Sequence, residues 1–323
     1  MAGQRVLISG MGGELGSRVA SLLEEASWVG ELTGIDADPP RRRLRRATFQ
    51  RVPPAQHDRI VDTIRDFDPH VLVHVATWEP DARAGTGTAK VLTDDAAMSV
   101  LGAAAECRAL QHIVVRSGIE IYGRARGSLT RPDEDTPVNP TSEYGRMLAR
   151  IEATACTTGE RVGVPVTRLR FAPVLGPHVP SPLGRVLRQP VVPFSLLADP
   201  PFTVVHDHDA AIAIAAAAAH RVDAPVNIVA PGSISTFQAI RRGNRIPIPL
   251  VGPEWPLFKR MSWLAGVPIP DHVEELFHRG RLADDSRAKA LLGVAPETET
   301  VAVIDLLHAW ESVIRIPARR AVA

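Results

Sequence analysis

Lysine is nearly missing from this 323-residue chain. Of its 37 basic residues only Lys90, Lys259 and Lys289 are lysines, so almost all the positive charge is arginine. A lysine lost to such a compositional bias should reappear as arginine. The 36 acidic residues leave a net charge of +1, too little to recommend nucleic acid or an acidic membrane surface as a partner. Two cysteines, Cys107 and Cys156, cannot build a disulfide framework and suit a reducing compartment. The longest apolar run, Ala210 to Ala219, is too short to span a bilayer, and the N-terminus shows no basic region followed by a cleavage site. The expectation is a soluble, cytoplasmic, globular protein.

The first half alternates short β-branched runs with helical patterns. "RVLISG" (Arg5 to Gly10) reads as a buried strand, followed by the helical "LGSRVASLLEEA" and a second strand, "ELTGIDA". "HVLVHVAT", "HIVVRSG" and "PVTRLRF" read as further strands separated by helices. That alternation argues a parallel sheet covered on both faces. Proline density rises after Leu175, and "FTVVHDHDAAIAIAAAAAH" then restores one strand and one helix. The predicted organisation is an α/β dinucleotide-type core over 1–176 and 202–230, with a smaller substrate lobe over 177–201 and 231–323.

"SGMGGELG" (Ser9 to Gly16) lies between a strand and a helix. Gly10, Gly13 and Gly16 have the spacing at which backbone amides and a helix N-terminus face a pyrophosphate; Gly12, Glu14 and Leu15 complete the loop. Asp36 ends the second strand 20 residues after Gly16, where a carboxylate accepts from ribose hydroxyls and repels a 2′-phosphate. NAD is therefore the expected cofactor. The run "PPRRRLRR" follows at once and leaves NADP open through Arg41, Arg42 or Arg43, although a solvated loop is the plainer account.

Together these motifs resemble the extended short-chain dehydrogenase/reductases, the NAD-dependent epimerase/dehydratase group. "SGMGGELG" is similar to its TGxxGxxG loop. "VLVHVAT" is similar to the fourth strand that runs beneath the cofactor, placing Val75 and Ala76 there. "RSGIEIYG" resembles SSxxVYG, "SEYGRML" the YxxxK helix, "RLRFAPVLGP" the RxxNVYGP loop, "VVHDHDAAIAI" VHVDDVAxAI, and "DDSRAKALLG" the SKAxxELG motif. The resemblance covers most of the chain and implies a Rossmann-type doubly wound parallel sheet. It also implies a small-molecule substrate, a homodimer as one possible assembly, and Tyr144 as general acid/base.

Tyr144 lacks its usual helpers. The lysine position is Leu148, and Arg146 and Arg150 point elsewhere on the helix, so arginine bias does not account for the loss. A phenol near its ordinary pKa of about 10 is a poor base at neutral pH. The hydroxyl position falls on Gly118. Ser117, one residue earlier, faces the other side of a strand unless a bulge returns it, and stays a candidate on that condition. Pro53 and Pro54 stand where an aspartate often touches adenine, and Phe202 near a diphosphate-binding arginine.

Glu120 aligns with the glutamate that sugar-nucleotide dehydratases use as a base, against a bland reading as a strand-end carboxylate. Ser117, Glu120 and Tyr144 form the catalytic set. His74 reads as a core histidine, and Asp94 and Asp95 as helix-capping residues. His206 to Asp209 would alternate along a strand, and the family motif already explains His206 and Asp209, so no metal is expected. The apolar "EWPLFKRMSWLAG" reads as lobe core, and with Phe202 it suggests a less charged, lipid-like or polyketide-like substrate. The functional expectation is an atypical NAD-binding oxidoreductase or isomerase. The alternatives are a nucleotide sensor or scaffold, and a cofactor-independent isomerase, lyase or cyclase.

Overall fold

The computed structural model describes residues 3–310; the last part of the expected lobe, 311–323, lies outside them. A seven-stranded sheet is built from β1 (Gln4–Ser9), β2 (Val29–Asp36), β3 (Thr48–Arg51), β4 (Val71–His74), β5 (His112–Gly118), β6 (Val166–Phe171) and β11 (Ala224–Ile228). Its order is β11-β6-β5-β4-β1-β2-β3, and every pairing is parallel. Val6, Leu7 and Ile8 are buried on both faces of the sheet, which is why β1 reads as a continuous apolar run. The order reverses between β1 and β4, so a crevice opens at their carboxyl ends.

Helices α1 (Glu14–Glu25) and α6 (Asp207–His220) cover one face, and α2 (His57–Phe67), α3 (Thr86–Ala104) and α4 (Glu143–Val162) the other. Short strands follow, β7 (Val174–Leu175) and β10 (Val205–His206), whose Val174 and Val205 pack on the sheet core, and β8 (Val191–Ser195), β9 (Pro201–Phe202), β12 (Ile234–Ser235) and β13 (Ile246–Leu250) in the lobe. Its helices are α5 (Pro182–Leu187), α7 (Thr236–Arg242), α8 (Trp255–Leu264), α9 (Asp271–Arg279) and α11 (Thr300–Ala309). Phe202, Ile240, Phe277 and Ile304 form the centre of its core. The segment α10 (Ser286–Leu292) leaves the lobe and packs Ala288 and Leu292 onto the sheet core beside α6.

Several local expectations are corrected. Phe202 is fully buried in the lobe core and so does not face a ligand, which removes one motive for an apolar substrate. On α8 only Trp255 is buried; Leu257, Met261, Trp263 and Leu264 are 60–70% exposed, so the helix is not core. Asp94 lies inside α3, where it pairs with Lys90 and Arg150 rather than capping a helix. Asp207 begins α6 instead of continuing a strand. His206 is its N-cap, Asp207 pairs with Arg18, and Asp209 accepts from the Thr298 N–H. Among the described residues no helix is long and apolar enough to cross a membrane.

Candidate active site

Gly13 is the N-cap of α1, and with no side chain it leaves the first-turn amides uncapped. Three other loop glycines are required by the protein itself. Gly10 has φ +91° and packs on Ala76, a Cβ on Gly12 would meet the Asp38 carbonyl, and one on Gly16 would meet the Gly10 carbonyl. Gly13 is different: a Cβ there would meet only the Gly10 oxygen, at an ordinary 3.5 Å. Folding does not demand glycine at 13, whereas an anion approaching the helix end would.

Asp36 is held by this loop. Its Oδ2 accepts the Gly12 N–H at 2.9 Å and its Oδ1 the Asp38 N–H at 3.3 Å. Burial pushes its pKa up, and those N–H groups oppose the shift. The arginine run is fixed to the loop and α1 chiefly through its backbone. Glu24 Oε1 accepts from the backbone N–H of Arg45, Arg46 and Ala47, Arg42 pairs with Glu14 at 3.2 Å, and the Arg41 N–H donates to Ser17 Oγ.

A cleft of about 140 Å³ opens over the loop. It is lined by Gly10, Gly12, Gly13, Glu14, Leu15 and Gly16, by Asp36, and by Val75 and Ala76 beyond β4, so the structure brings the whole expected cofactor set to one surface. A small apolar recess of about 20 Å³ adjoins it beside Asp36, walled by Val52, Pro54, Ile60, Trp78, Ala96 and Val100. The cleft is also lined by Trp78, Glu79, Arg83, Arg116, Val174 and Val179.

The three catalytic candidates do not line this cleft. Ser142 caps α4 by accepting the Gly145 N–H at 3.1 Å, which puts Tyr144 in the first turn. The Glu143 N–H donates to Asp271 at 2.7 Å, tying this helix end to the start of α9. Tyr144 therefore meets His272, with ring centroids 4.9 Å apart. Burial pushes the Tyr144 phenol well up. The Arg116 guanidinium pulls it down, while Glu79 and Glu120 push it further up. Leu148 is fully buried behind it.

Glu120 sits in a 3-10 turn, Ile119–Tyr122, not at a free strand end. The turn is held by Tyr122, whose hydroxyl donates to Asn227 Oδ1 at 2.8 Å and accepts from Arg170 at 2.9 Å. Glu120 is buried and pairs with Arg281 at 3.4 Å, while Arg281 also binds Glu275 at 2.8 Å. A Cβ on Gly118 would collide with the Glu120 carboxylate and touch Leu148 Cδ1 at 3.0 Å. The family's hydroxyl and lysine positions are thus neighbours here, filled by Glu120 and Leu148. No bulge returns Ser117: β5 pairs with β6 in unbroken register from Ile113 to Gly118. Ser117 stays on the other side of the strand, buried, its Oγ without a partner among the described residues.

His272 is buried and donates from Nε2 toward Glu79 at 3.1 Å, with Asp271 3.7 Å from Nδ1. Burial lowers its pKa, but Asp271 and Glu79 outweigh burial and hold it up at about 9. His74 lies under the loop with Nδ1 3.3 Å from Ser9 Oγ, and burial keeps it neutral, at about 4. Sequence reasoning missed Glu79, Arg116, His272 and Arg281. Arg116 opens the quoted "RSGIEIYG" segment and could have been found by its parity with Gly118; His272 and Arg281 carry no motif.

A family model described as the NAD dependent epimerase/dehydratase family matches residues 6–229. An uncharacterized protein of Mycobacterium tuberculosis is 29% identical over 316 residues, covering 93% of this chain and 82% of that protein. Solved structures are similar at lower identity. A UDP-glucose 4-epimerase from Thermotoga maritima, crystallised with UDP-glucose, has a TM-score of 0.72 at 17% identity, covering 95% of this chain and 98% of its own. A UDP-glucuronic acid 4-epimerase from Bacillus cereus, with UDP-glucuronic acid and NAD, reaches 0.73 at 17%, covering 95% and 99%. A dTDP-glucose 4,6-dehydratase from Bacillus anthracis, in complex with NAD, reaches 0.72 at 15%, covering 97% of each chain. At such identities the likeness is one of fold. With the family pattern running through most of its length, the chain belongs to the NAD dependent epimerase/dehydratase family.

Proposed function

We propose that this chain binds NAD in the β1–β4 crevice and acts as an oxidoreductase or isomerase on a small molecule, with Tyr144 as its acid/base. The observation that carries the reading is Gly13. It is the loop glycine that the protein's own packing does not require, it caps α1, and it faces the cleft beside Asp36. The α1 amides suit a pyrophosphate and the Asp36 carboxylate suits ribose hydroxyls; the apolar residues beside Asp36 would pack against a base at the cleft surface, the recess itself being too small to admit one. With Pro54 in that recess, base recognition would rest on packing. NAD, when bound, supplies a reversible hydride acceptor. Tyr144, once ionised to the phenolate, would take the proton of a substrate hydroxyl as that carbon becomes a carbonyl, and return it in the reverse step. Glu120 would take a proton from the adjacent carbon. The rest of the cleft lining mixes Trp78, Val174 and Val179 with Glu79, Arg83 and Arg116, which favours a substrate with an apolar body and a polar reacting group.

The first test titrates purified protein with NAD, NADH, NADP and NADPH after removal of carried-over nucleotide. Tight NAD(H) binding with weak NADP(H) binding supports the reading; binding of none of the four overturns it. A second reading, a nucleotide sensor or scaffold, is favoured by one observation: Tyr144 and Glu120 are sealed behind His272 and Arg281 and do not line the cleft. An enzyme would change the oxidation state of bound cofactor when candidate substrates are added, and Tyr144→Phe would stop it. A sensor would bind cofactor and show no change.

A further inference from the structure

We infer that Arg116 is the anion-binding residue of the cleft and holds a phosphate or carboxylate of the ligand at the end away from Asp36. This rests on the reading of the cleft as the ligand site, and it narrows the occupant to one that carries anionic oxygens there.

The register of the sheet places the side chain. His74 of β4 pairs with Val115 of β5, so Arg116 stands one step beyond that pair, as Val75 does. Side chains alternate along a strand, and Arg116 shares its side with Val114, which packs in the core under α1 and α6. It therefore reaches the carboxyl edge of the sheet on the face that carries the α1 N-terminus, and it lines the cleft together with the glycine loop, Val75 and Ala76. The strand bearing that loop, β1, lies two strands from β5, about 10 Å at the usual strand spacing. Asp36, at the end of β2, is one strand farther still.

Charge is unevenly distributed along this cleft. Arg116 is the one partly exposed residue of β5 among buried neighbours. Among the described residues its guanidinium makes no hydrogen bond or ion pair, and neither does that of Arg83, which lines the cleft from the segment after β4. The carboxylates of the lining are engaged: Glu14 with Arg18 and Arg42, Glu79 with His272, Asp36 with the Gly12 N–H. Asp38, the fourth, is exposed and follows Asp36 at the opposite end. A partly buried guanidinium without a partner carries a desolvation cost that nothing in the protein offsets. Its fork of donors matches two oxygens of a phosphate or carboxylate, and an uncompensated cation at a cleft wall concentrates anions. Trp78, Val174 and Val179 in the same lining suit an apolar body, so the substrate class is an apolar acid or phosphate ester. Anionic oxygens have a second source here, the diphosphate of the cofactor. The two-strand separation favours the substrate, because the α1 amides already face a diphosphate at β1.

The experiment uses full-length protein freed of carried-over nucleotide. NADH is titrated first, by fluorescence. Phenyl phosphate, benzoate and neutral benzyl alcohol are then titrated by calorimetry into protein saturated with NADH. Arg116→Met is expected to weaken phenyl phosphate and benzoate by about tenfold or more, as loss of a hydrogen bond to a charged group does, and to leave benzyl alcohol unchanged. Arg116→Lys, which keeps the charge without the fork, should lose less. Arg83→Met, which removes the exposed arginine of the lining, should also lose less than Arg116→Met. A tenfold loss of NADH affinity in Arg116→Met would assign the anion to the diphosphate of the cofactor. The inference is overturned if Arg116→Met binds NADH and both anions as the wild type does. It is equally overturned if the wild type takes up neither anion and the variant keeps its NADH affinity. Should Arg116→Met fail to fold, Arg116→Gln carries the same comparison. Failure of the wild type to bind NADH sinks the proposed cofactor by itself. The anions are then titrated into free protein, where a tenfold loss in Arg116→Met still supports the role of Arg116 and the lack of any loss overturns it.

Discussion

The carboxylate of Glu120 lies over the α-carbon of Gly118, in the space that any side chain at position 118 would need. Two departures from the family pattern are therefore one physical arrangement. Glycine at 118 lets a buried carboxylate, paired with Arg281, stand where a hydroxyl is expected.

Restoring the hydroxyl should consequently be costly. Gly118→Ser is expected to destabilise the protein by about 1–3 kcal/mol, as overpacking of a filled core does. Removing Glu120 together with it should recover part of that loss, because the two residues are in contact. Urea unfolding of both single variants and the double variant measures the coupling; strictly additive effects would mean that the carboxylate does not occupy this space.

Two loop glycines should separate stability from binding. Gly16→Ala drives a Cβ into the Gly10 carbonyl and should lose roughly 2 kcal/mol or more. Gly13→Ala meets no such obstacle and should stay within about 1 kcal/mol of wild type. Its NADH affinity should nonetheless fall at least about tenfold, about 1.4 kcal/mol. A fluorescence titration reads the second effect; unchanged affinity in Gly13→Ala would remove the main support for a pyrophosphate at this helix end.

Asp36 should set the cofactor preference. Its carboxylate is oriented by the Gly12 amide, and Arg41, Arg42 and Arg43 do not line the cleft. Replacing it by serine removes the repulsion of a 2′-phosphate. The NADPH-to-NADH affinity ratio should rise by about tenfold or more. An unmoved ratio would show that selection lies elsewhere.

Stability should fall on both sides of neutrality, for different reasons. His272 has a folded pKa of about 9, above its ordinary 6.5. Its contribution is whole below pH 6.5 and is lost as pH rises through about 9, by roughly 2–3 kcal/mol. His74 is held at about 4, so the unfolded chain takes up a proton that the native state refuses, and stability drops as pH falls from 6.5 toward 4. Unfolding free energies at pH 7 and pH 10 should converge in His272→Gln. If its alkaline slope equals that of wild type, the cluster of His272, Glu79 and Asp271 is not the source.

The alternation of strands and helices, the glycine loop and Asp36 were legible because each depends on neighbours a few residues away. Strand period, helix period and the needs of a phosphate loop are local rules. Phe202 and α8 were misread for the same reason. Apolar content reveals that a surface wants cover, but whether Phe202 enters a core or Trp263 stays exposed is decided by packing between segments far apart in sequence.

The chain by itself determined the doubly wound sheet, the nucleotide loop, and the absence of a lysine one turn after Tyr144. Only the tertiary structure decided what surrounds that tyrosine. His272 arrives from α9, more than a hundred residues downstream, and Arg281 comes from beyond it. Charges act through space, and a phenol responds to whichever groups the fold delivers, so its protonation cannot be read from the spacing of a motif.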